Sequence, residues 1–524
     1  MKKVLIPTKL DTVAAEILKA NGSYEVVQDS STPLPELIAA HPDTFALIVR
    51  SEKVPAPIID QLPNLKIVVR AGAGFDNIDT KYARKRGVDV MNTPGANSNG
   101  VAEEVLALML ADARFVVPAD TTTRRGEWNK KTYLGREIAG KTIGIVGLGH
   151  IGRLVLKRLQ GFDCTFLGFD PMVSTERANE LGVELTDLDT LFARCDYVTL
   201  HIPGGEATRG LIGAKLLGAM KPGATLINCA RHGIVDLDAL RAIKAEKNLR
   251  YLNDVYPKDE AGEKPFADLC DLMLPHLGAN TKEANKNAAR RAAEELIGLD
   301  QRGETAYIVN RDIPEGLDRA YCTLAYNLAS LARQLTGGAR VTKLETSFYG
   351  ALEPYAQWLL VPMVAGLCDD FDRLSSHQDA RAYLERLGIA CDNRKADPGK
   401  GFENSITLDL TTEAGDGNLK VTSIRGTIAE GRLMISRINE FDGLYIRPEG
   451  ATLFFLYRDR TGVIADIAKG LADAEINIED MRNPHDAKTG RSLAILKVSK
   501  PLSPDLLTVI AKRIDAQVAA SVQL

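Results

Sequence analysis

Short runs of apolar, often β-branched residues alternate with helical stretches through the first three hundred residues. The segments "VLIP", "ALIVRS", "KIVVRAG" and "VDVMN" have the length of buried strands, and Thr12 to Asn21 has helical character. A second series of the same kind runs from Lys141 to about Gly278. Because this alternation favours parallel strands joined by helical crossovers, the pattern predicts an α/β fold with two doubly wound parallel-sheet domains.

The pattern changes beyond Gly316. A helix from Leu317 to Thr336 precedes the alternating strand "VTKLETSFYG", another helix, and the strands "SITLDLTTE" and "LKVTSIRGTIAEGRLMISRINEF". This order predicts an α+β domain. From Ala451 onward, a β-α-β-β-α-β order fits about 70 residues, which predicts a second, ferredoxin-like module.

Composition excludes several classes of protein. A chain of 524 residues exceeds one hydrophobic core, and 45% apolar with 26% charged residues is ordinary for a globular protein. The formal charge of −4 offers no field for nucleic acid, and seven cysteines without a CxxC pair indicate neither a disulfide framework nor a metal site. The apolar run before Pro7 is too short for a signal peptide, and no segment approaches a membrane span. We therefore expect a cytoplasmic protein with reduced thiols, no metal, no nucleic-acid partner and no membrane partner.

The stretch "KTIGIVGLGHIGRLVLKRLQGF" contains a glycine-rich turn. Gly147, Gly149 and Gly152 follow the apolar strand from Thr142 to Val146 and open a helix, and Asp170 ends a second strand about 20 residues further on. Such a turn lets the backbone approach a pyrophosphate at a helix N-terminus. Asp170 would accept hydrogen bonds from the ribose hydroxyls, and its negative charge would repel a 2′-phosphate. The turn and the aspartate together therefore predict NAD rather than NADP in a Rossmann-like domain.

Three later strands end in polar residues. "TLINCARHGIVD" contains Arg231, "RYLNDVYPKDE" contains Asp254 and then Asp259 and Glu260, and "DLMLPHLGANT" contains His276. In a doubly wound sheet these strand ends face the cofactor crevice. A histidine can take the hydroxyl proton of a secondary alcohol, a carboxylate can orient the imidazole, and an arginine can bind a substrate carboxylate. The set predicts dehydrogenase chemistry.

At these residues the chain resembles the D-isomer-specific 2-hydroxyacid dehydrogenases. The matching motifs are "VGLGHIGR", "INCARHGIVD", "LPHLGANT", "VVRAGAGFDNID" and "NTPGANSNGVAEEVLALML". The resemblance implies a substrate-binding domain at 1–97 with 282–312, built around an NAD-binding domain at 98–281. It further implies an intervening α+β domain at 313–448 and an ACT regulatory domain at 449–524.

The resemblance also implies roles for individual residues. Arg231 and His276 would be catalytic, Asp254 would lie by the nicotinamide carboxamide, and the backbone of Ala73 and Gly74 would receive the substrate carboxylate. Further cofactor contacts would come from His150, Ile151, His201, Pro203, Thr208, Cys229 and Ala230, and a substrate contact from Asn97.

The catalytic acid departs from the family pattern. The family places a glutamate five residues after the aspartate of "DVF", whereas "DVYPKDEAGEKP" has Asp259 at that place and Glu260 next to it. Aspartate is one methylene shorter, so both acids remain candidates for the partner of His276.

The carboxyl extension resembles that of the long members of the family that act in L-serine biosynthesis. This implies oxidation of D-3-phosphoglycerate to 3-phosphohydroxypyruvate. Arg50 and Lys130 match phosphate-contacting positions, with Lys130 reaching across a dimer interface near Trp128, whereas Glu52 stands where some relatives have a second arginine.

The last module resembles an ACT domain, a sensor of amino acids. Tyr457, Asp459 and Asn477 match effector-binding positions, which implies L-serine as an effector, and Thr461 replaces the usual proline of this turn. A module kept only for oligomerisation is the alternative. Two-fold contacts through the nucleotide domain and the ACT edge would build a homodimer or homotetramer.

Two other functions remain open. One is a dehydrogenase of an unphosphorylated 2-hydroxy acid. The other is a non-catalytic, NAD-sensing regulatory protein that uses this fold to bind partners, although such regulators usually carry disordered extensions in place of an ordered module.

Overall fold

The computed structural model describes residues 1–314, 316–413 and 418–523. They form two compact units, one of residues 1–64, 69–78 and 92–292, the other of residues 65–68, 79–91 and 293–524.

The first sheet has five strands in the order β2-β1-β3-β4-β5. Its strands are β1 (Lys2–Ile6), β2 (Tyr24–Gln28), β3 (Ala46–Val49), β4 (Ile67–Arg70) and β5 (Asp89–Asn92), and the helices between them are α1 (Val13–Asn21), α2 (Leu34–Ala40), α3 (Ala56–Asp60) and α4 (Thr80–Lys85). Strand β1 pairs in parallel with both β2 and β3. Every residue of β3 is buried, as expected for a strand covered on both faces.

The second sheet has seven parallel strands in the order β12-β11-β10-β9-β6-β7-β8. Its strands are β6 (Thr142–Val146), β7 (Thr165–Phe169), β8 (Glu184–Leu185), β9 (Tyr197–Leu200), β10 (Thr225–Asn228), β11 (Arg250–Asn253) and β12 (Leu272–Met273). The helices are α5 (Ser98–Ala113), α6 (Val116–Arg124), α7 (His150–Leu159), α8 (Thr175–Glu180), α9 (Leu188–Arg194), α10 (Ala214–Ala219), α11 (Leu237–Lys247) and α12 (Lys282–Arg302). The strand order reverses between β6 and β9, which opens a crevice at their carboxyl ends.

The third sheet is mixed, in the order β14-β13-β15-β16-β17-β18. Its elements are α13 (Arg319–Leu335), β13 (Arg340–Phe348), α14 (Ala356–Leu367), α15 (His377–Arg386), β14 (Ala390–Asn393), β15 (Ser405–Glu413), β16 (Leu419–Ala429), β17 (Arg432–Ile438) and β18 (Phe441–Ile446). Helix α13 begins two residues later than the pattern predicts, because Asp318 caps it by accepting the N–H of Ala320.

The fourth sheet is antiparallel, in the order β20-β22-β19-β23, with the short strand β21 paired to β22. Its elements are β19 (Ala451–Arg458), α16 (Val463–Asp473), β20 (Ile478–Arg482), β21 (His485–Asp486), β22 (Arg491–Val498), α17 (Pro504–Ile514) and β23 (Ala516–Gln523). Leu453 and Phe455 pack in the core formed with α16 and α17, whereas Phe454 joins the core that contains α13. Burial on both faces explains the continuous apolar run of β19.

The predicted fold class is confirmed. The four sheets lie within the residue ranges 1–97, 98–281, 313–448 and 449–524, and the four-domain division itself stays a prediction. Within the described ranges, no helix is long and apolar enough to cross a membrane. In the same ranges, no three His, Cys, Asp or Glu side chains cluster in a way that would hold a metal ion.

Candidate active site

The glycine-rich turn connects β6 to α7 at the crevice. Gly147 has a φ of 98°, and a Cβ at this position would lie 2.5 Å from the carbonyl oxygen of His201. A Cβ on Gly152 would overlap the carbonyl oxygen of Gly147. Gly149, the N-cap of α7, supplies no side-chain cap to the first amides of the helix. The turn thus exposes backbone N–H groups without covering side chains, which suits the binding of a pyrophosphate.

Asp170 follows β7 beside this turn. Its Oδ2 accepts the N–H of Leu148 at 2.8 Å, and its Oδ1 accepts the N–H of Met172 at 2.9 Å. The carboxylate therefore ties the glycine-rich turn to the end of β7. Each oxygen keeps a second lone pair for a ribose hydroxyl.

A pocket of about 430 Å³ lies at the same edge of the sheet. Its lining includes Phe169, which directly precedes Asp170, and Leu188, together with the charged side chains of Asp189 and Lys215. A pocket with this mixed lining suits a flat ring that carries polar edge atoms, such as adenine. The sequence analysis missed these residues, although the position of Phe169 before Asp170, the predicted ribose-binding residue, was a usable signal.

Two loops on the other side of the turn carry further predicted cofactor contacts. The Thr208 hydroxyl donates to the carbonyl of Pro203 at 2.7 Å, which closes the loop after β9. His201 Nε2 lies 3.0 Å from Thr199 Oγ1, and burial lowers the pKa of His201 to about 3, so its imidazole is neutral. Cys229 and Ala230 are buried at the end of β10. His150 and Ile151 are the first two residues of α7.

His276 is paired with Asp259. The distance from His276 Nδ1 to Asp259 Oδ2 is 2.7 Å, which leaves Nε2 for a substrate proton. Glu260 instead contributes its backbone carbonyl, which accepts a hydrogen bond from Lys264 Nζ at 2.5 Å. Of the two candidate acids, the structure brings only Asp259 to the histidine.

Aromatic contacts hold the loop after β11, which carries Asp259. The Tyr256 hydroxyl donates to the carbonyl of Leu274, two residues before His276, at 2.5 Å. The Tyr256 ring stacks on the Phe266 ring, with centroids 5.8 Å apart. The His232 ring also packs on Phe266, with centroids 5.1 Å apart. These contacts hold the loop against the strand that leads to His276. Sequence reasoning did not find them because they join residues far apart in the chain.

Asp254 fixes the backbone on the other side of His276. Its Oδ1 accepts the N–H of Leu277 at 2.8 Å, and its Oδ2 accepts the N–H of Gly278 at 3.0 Å. His276 itself has a φ of 59°, a left-handed conformation that is uncommon outside glycine. The two hydrogen bonds to Asp254 hold this strained backbone in place.

Three guanidinium groups, the arginine cluster of Arg50, Arg70 and Arg231, converge at the carboxyl ends of β3, β4 and β10. Burial and the charges of the other two arginines lower the pKa of Arg70 to about 10. Arg70 Nε donates to the carbonyl of Arg50 at 3.1 Å, and Arg50 Nη2 donates to the carbonyl of Ala279 at 2.9 Å. The buried Arg50 Nη1 has no hydrogen-bond partner among the described residues. Such a cluster attracts an anion.

The cluster borders the predicted carboxylate site. A Cβ on Gly74 would overlap the Arg231 guanidinium, and one on Gly72 would overlap that of Arg70. The nearest carboxylate to Arg231 is the exposed Asp76, 3.8 Å from Nε. Sequence analysis missed Arg70 although the motif "VVRAGAGFDNID" contains it.

The other predicted substrate-binding residues are Ala73, Asn97 and Lys130. The carbonyl of Ala73 accepts Asn92 Nδ2 at 2.6 Å, and Asn97 directly precedes α5. Lys130 is exposed after α6, and Trp128 is 85% exposed. The role of Lys130 across a dimer interface needs a second chain and stays a prediction.

Comparison with known proteins agrees with this geometry. Residues 106–278 match the model for the D-isomer specific 2-hydroxyacid dehydrogenase NAD-binding domain. A D-3-phosphoglycerate dehydrogenase from Synechocystis is 34% identical, with coverage of 100% of this chain and 95% of the relative. The chain belongs to the D-isomer-specific 2-hydroxyacid dehydrogenase family. A D-3-phosphoglycerate dehydrogenase from Archaeoglobus fulgidus is 33% identical, with coverage of 97% of this chain and 98% of the relative.

Solved structures of this family cover the dehydrogenase part. The NAD⁺-bound 3-phosphoglycerate dehydrogenase of Entamoeba histolytica is 30% identical and aligns over 59% of this chain and 99% of that one, with a TM-score of 0.50. The NAD-bound formate dehydrogenase of Staphylococcus aureus is 26% identical over 57% of this chain and 95% of that one, also at 0.50. As a member of the family, the chain is an NAD-dependent dehydrogenase, as predicted.

The C-terminal module does not bring the three predicted effector residues together within one chain. Tyr457 is 1% exposed, and its hydroxyl donates to Asn483 Oδ1 at 2.8 Å. Asp459 accepts the Ser492 hydroxyl at 2.9 Å. Asn477 lies at the opposite end of the sheet, because β19 and β20 are parallel and both pair antiparallel with β22. The strand from Gly490, beside Asp459, to Ser499, beside Asn477, spans roughly 30 Å.

The glycine cradle generates a prediction about cofactor binding. In Gly152→Ala the new Cβ would overlap the carbonyl of Gly147, so the turn must open and its amides must move. We expect NADH affinity, measured by fluorescence titration, to fall more than tenfold. Gly161→Ala is the matched control, since a Cβ there meets open space. Equal affinities in the two variants would contradict the assignment of this turn to the cofactor.

Proposed function

We propose that this chain oxidises D-3-phosphoglycerate to 3-phosphohydroxypyruvate with NAD, the first step of L-serine biosynthesis, and that L-serine inhibits it through the last module. The observation that carries the substrate assignment is the arginine cluster beside the His276–Asp259 pair. A 2-hydroxy acid with one carboxylate needs one arginine fork. Three guanidinium groups suit a substrate that carries a phosphate as well as a carboxylate.

The chain's own groups divide the chemistry between them. Arg231, with the backbone of Ala73 and Gly74, holds the substrate carboxylate and polarises the C2 oxygen. His276 Nε2 takes the C2 hydroxyl proton, and Asp259 holds the imidazole in the required tautomer and stabilises its charged form. Bound NAD supplies the acceptor for the C2 hydride. Loss of that hydride and that proton leaves the C2 ketone.

The cofactor residues form a continuous set along the crevice. Gly147, Gly149 and Gly152 would hold the pyrophosphate, Asp170 the adenosine ribose, and the pocket beside Phe169 the adenine. Asp254 would meet the nicotinamide end, next to His276. The carboxylate of Asp170 disfavours a 2′-phosphate and supports NAD over NADP.

Regulation by serine requires two copies of the chain. Strand β20 is an edge of the fourth sheet, and four of its five residues are exposed. Antiparallel pairing of two β20 edges would bring Asn477 of one copy towards Asp459 of the other. A serine could then contact Asp459 through its ammonium group and the amides after Gly462 through its carboxylate. A homodimer or homotetramer and a cytoplasmic location remain part of this proposal.

The substrate assignment predicts a preference for the phosphorylated acid. We expect kcat/KM for D-3-phosphoglycerate to exceed that for D-glycerate at least tenfold, because one charge-assisted hydrogen bond contributes about 1.5–3 kcal/mol. Initial rates with NAD, coupled to removal of the ketone, measure both. Arg50→Met should lose most of this preference and the exposed Lys53→Met should keep it. A wild-type enzyme that prefers D-glycerate or another unphosphorylated 2-hydroxy acid would contradict the assignment.

Serine should slow the same reaction. We expect L-serine to lower the initial rate of the wild type. Asp459→Asn should lose this sensitivity because it removes the charge that pairs with the ammonium group. Asp473→Asn, an exposed change on α16 of the same module, is the control and should stay sensitive. A wild-type rate indifferent to serine would leave the module with an assembly role.

The pairing of His276 predicts which acid matters. Asp259→Asn should lower kcat about 10²-fold or more, because a neutral partner stabilises neither the tautomer nor the imidazolium. NADH affinity should remain near that of the wild type. Glu260→Gln should behave like the wild type, and the opposite order of effects would make Glu260 the partner.

A further inference from the structure

Helix α5 places a carboxyl group, that of Glu104, inside the active-site crevice. Both of its oxygens are buried and accept no hydrogen bond from an N–H or O–H donor of the described residues. Buried carboxylates are ordinarily paired with cations or hydrogen-bond donors, because burial of an unpaired charge is costly. Glu104 therefore needs a different explanation.

The Glu104 carboxyl faces that of Asp254 over Gly278. A Cβ placed on Gly278 would lie 2.9 Å from Glu104 Oε2 and 3.5 Å from Asp254 Oδ2, so the two oxygens converge on one backbone position. The helix is packed against this loop, since a Cβ on Gly100 would lie 2.8 Å from the carbonyl oxygen of Gly278. The facing pair is fixed by the packing of α5 on the segment that follows His276.

The surroundings decide where a proton resides. Burial, and then the charge of Asp254, raise the pKa of Glu104 to about 8. Burial also raises the pKa of Asp254, but the N–H groups of Leu277 and Gly278 act against this by stabilising its anion. The other titratable groups that act on the pair are His276, which favours the Asp254 anion, and the buried Cys229. At neutral pH the proton belongs on Glu104.

We propose that Glu104 and Asp254 share one proton, and that protonated Glu104 is a positioning residue that donates to Asp254 and so holds the backbone of His276 for catalysis. The proposal rests on the proposed function in assigning His276 as the base. It adds a pH limit to that reaction, set by a residue that need not touch the substrate.

The sign of the pH effect follows from the raised pKa. Below about pH 8 Glu104 is protonated and the pair carries one negative charge. Above that pH Glu104 ionises, two adjacent carboxylates repel each other, and the hydrogen bonds from Leu277 and Gly278 weaken. The competent fraction then falls about tenfold for each further pH unit.

Glu104→Gln tests the positioning role, because its amide is neutral at every pH and can still donate to Asp254. We expect kcat/KM of the wild type to decline above about pH 8 and that of Glu104→Gln to lack this decline. Glu103→Gln is the matched control on the same helix, since Glu103 is exposed and pairs with Arg158. It should decline as the wild type does.

Two measurements without substrate separate this proposal from the proposed function. The wild type and Glu103→Gln should show the infrared carbonyl band of a protonated carboxyl at pH 7, lost by pH 9.5 and absent from Glu104→Gln. Amide hydrogen exchange at Leu277 and Gly278, compared at pH 9.5, should be faster in the wild type than in Glu104→Gln. Absence of the band in the wild type, or equal exchange in the two proteins, would overturn the proposal even if D-3-phosphoglycerate is oxidised.

Discussion

The carboxylate of Asp254 accepts the N–H groups of Leu277 and Gly278, and the orientation of His276 depends on these two hydrogen bonds. The histidine occupies a left-handed backbone conformation that local sequence does not favour. A residue held in this way can present its imidazole to the crevice without adjustment during the reaction. Asp254 itself is fixed at the end of β11, inside a buried parallel sheet. The position of His276 is therefore set by the sheet rather than by the loop that carries it.

Charge is divided across the crevice. The arginine cluster lies at the ends of β3, β4 and β10, whereas the carboxylates of Asp254 and Asp259 lie around His276. Partial burial of the arginines strengthens their attraction for an anion, since water screens them less. This separation suits a reaction in which an anionic substrate gives a proton to a histidine and a hydride to a cofactor.

In the C-terminal half, the fourth sheet is covered on its faces but has exposed edges. The fourth sheet is buried on both faces, by its own helices on one and by the core containing α13 on the other. Its edges are β23 and β20, and an edge strand such as β20 has backbone groups on one side that can pair with a strand of a second copy. Binding at that edge can be coupled to catalysis only if the paired and unpaired states differ in free energy at the active site. The N-terminal half thus contains the crevice, and the C-terminal half ends in a sheet with exposed strand edges.

The sequence by itself determined those features that depend on neighbours along the chain. The glycine spacing, the strand ends that carry Arg231, Asp254 and His276, and the β-α-β-β-α-β order follow from local periodicity and from the rule that parallel strands present their carboxyl ends together.

Tertiary structure decided what depends on distant residues. Only the folded chain shows that Asp259 rather than Glu260 pairs with His276 and that Arg70 joins Arg50 and Arg231 where β3, β4 and β10 end. No pattern in the helix "VAEEVLALML" distinguishes Glu104 from the exposed Glu103, and only the packing of α5 on Gly278 buries the Glu104 carboxyl. Asn477 and Asp459 lie at opposite ends of the fourth sheet, because β19 and β20 run in the same direction. In each case the deciding contact joins segments that only the folded chain brings together.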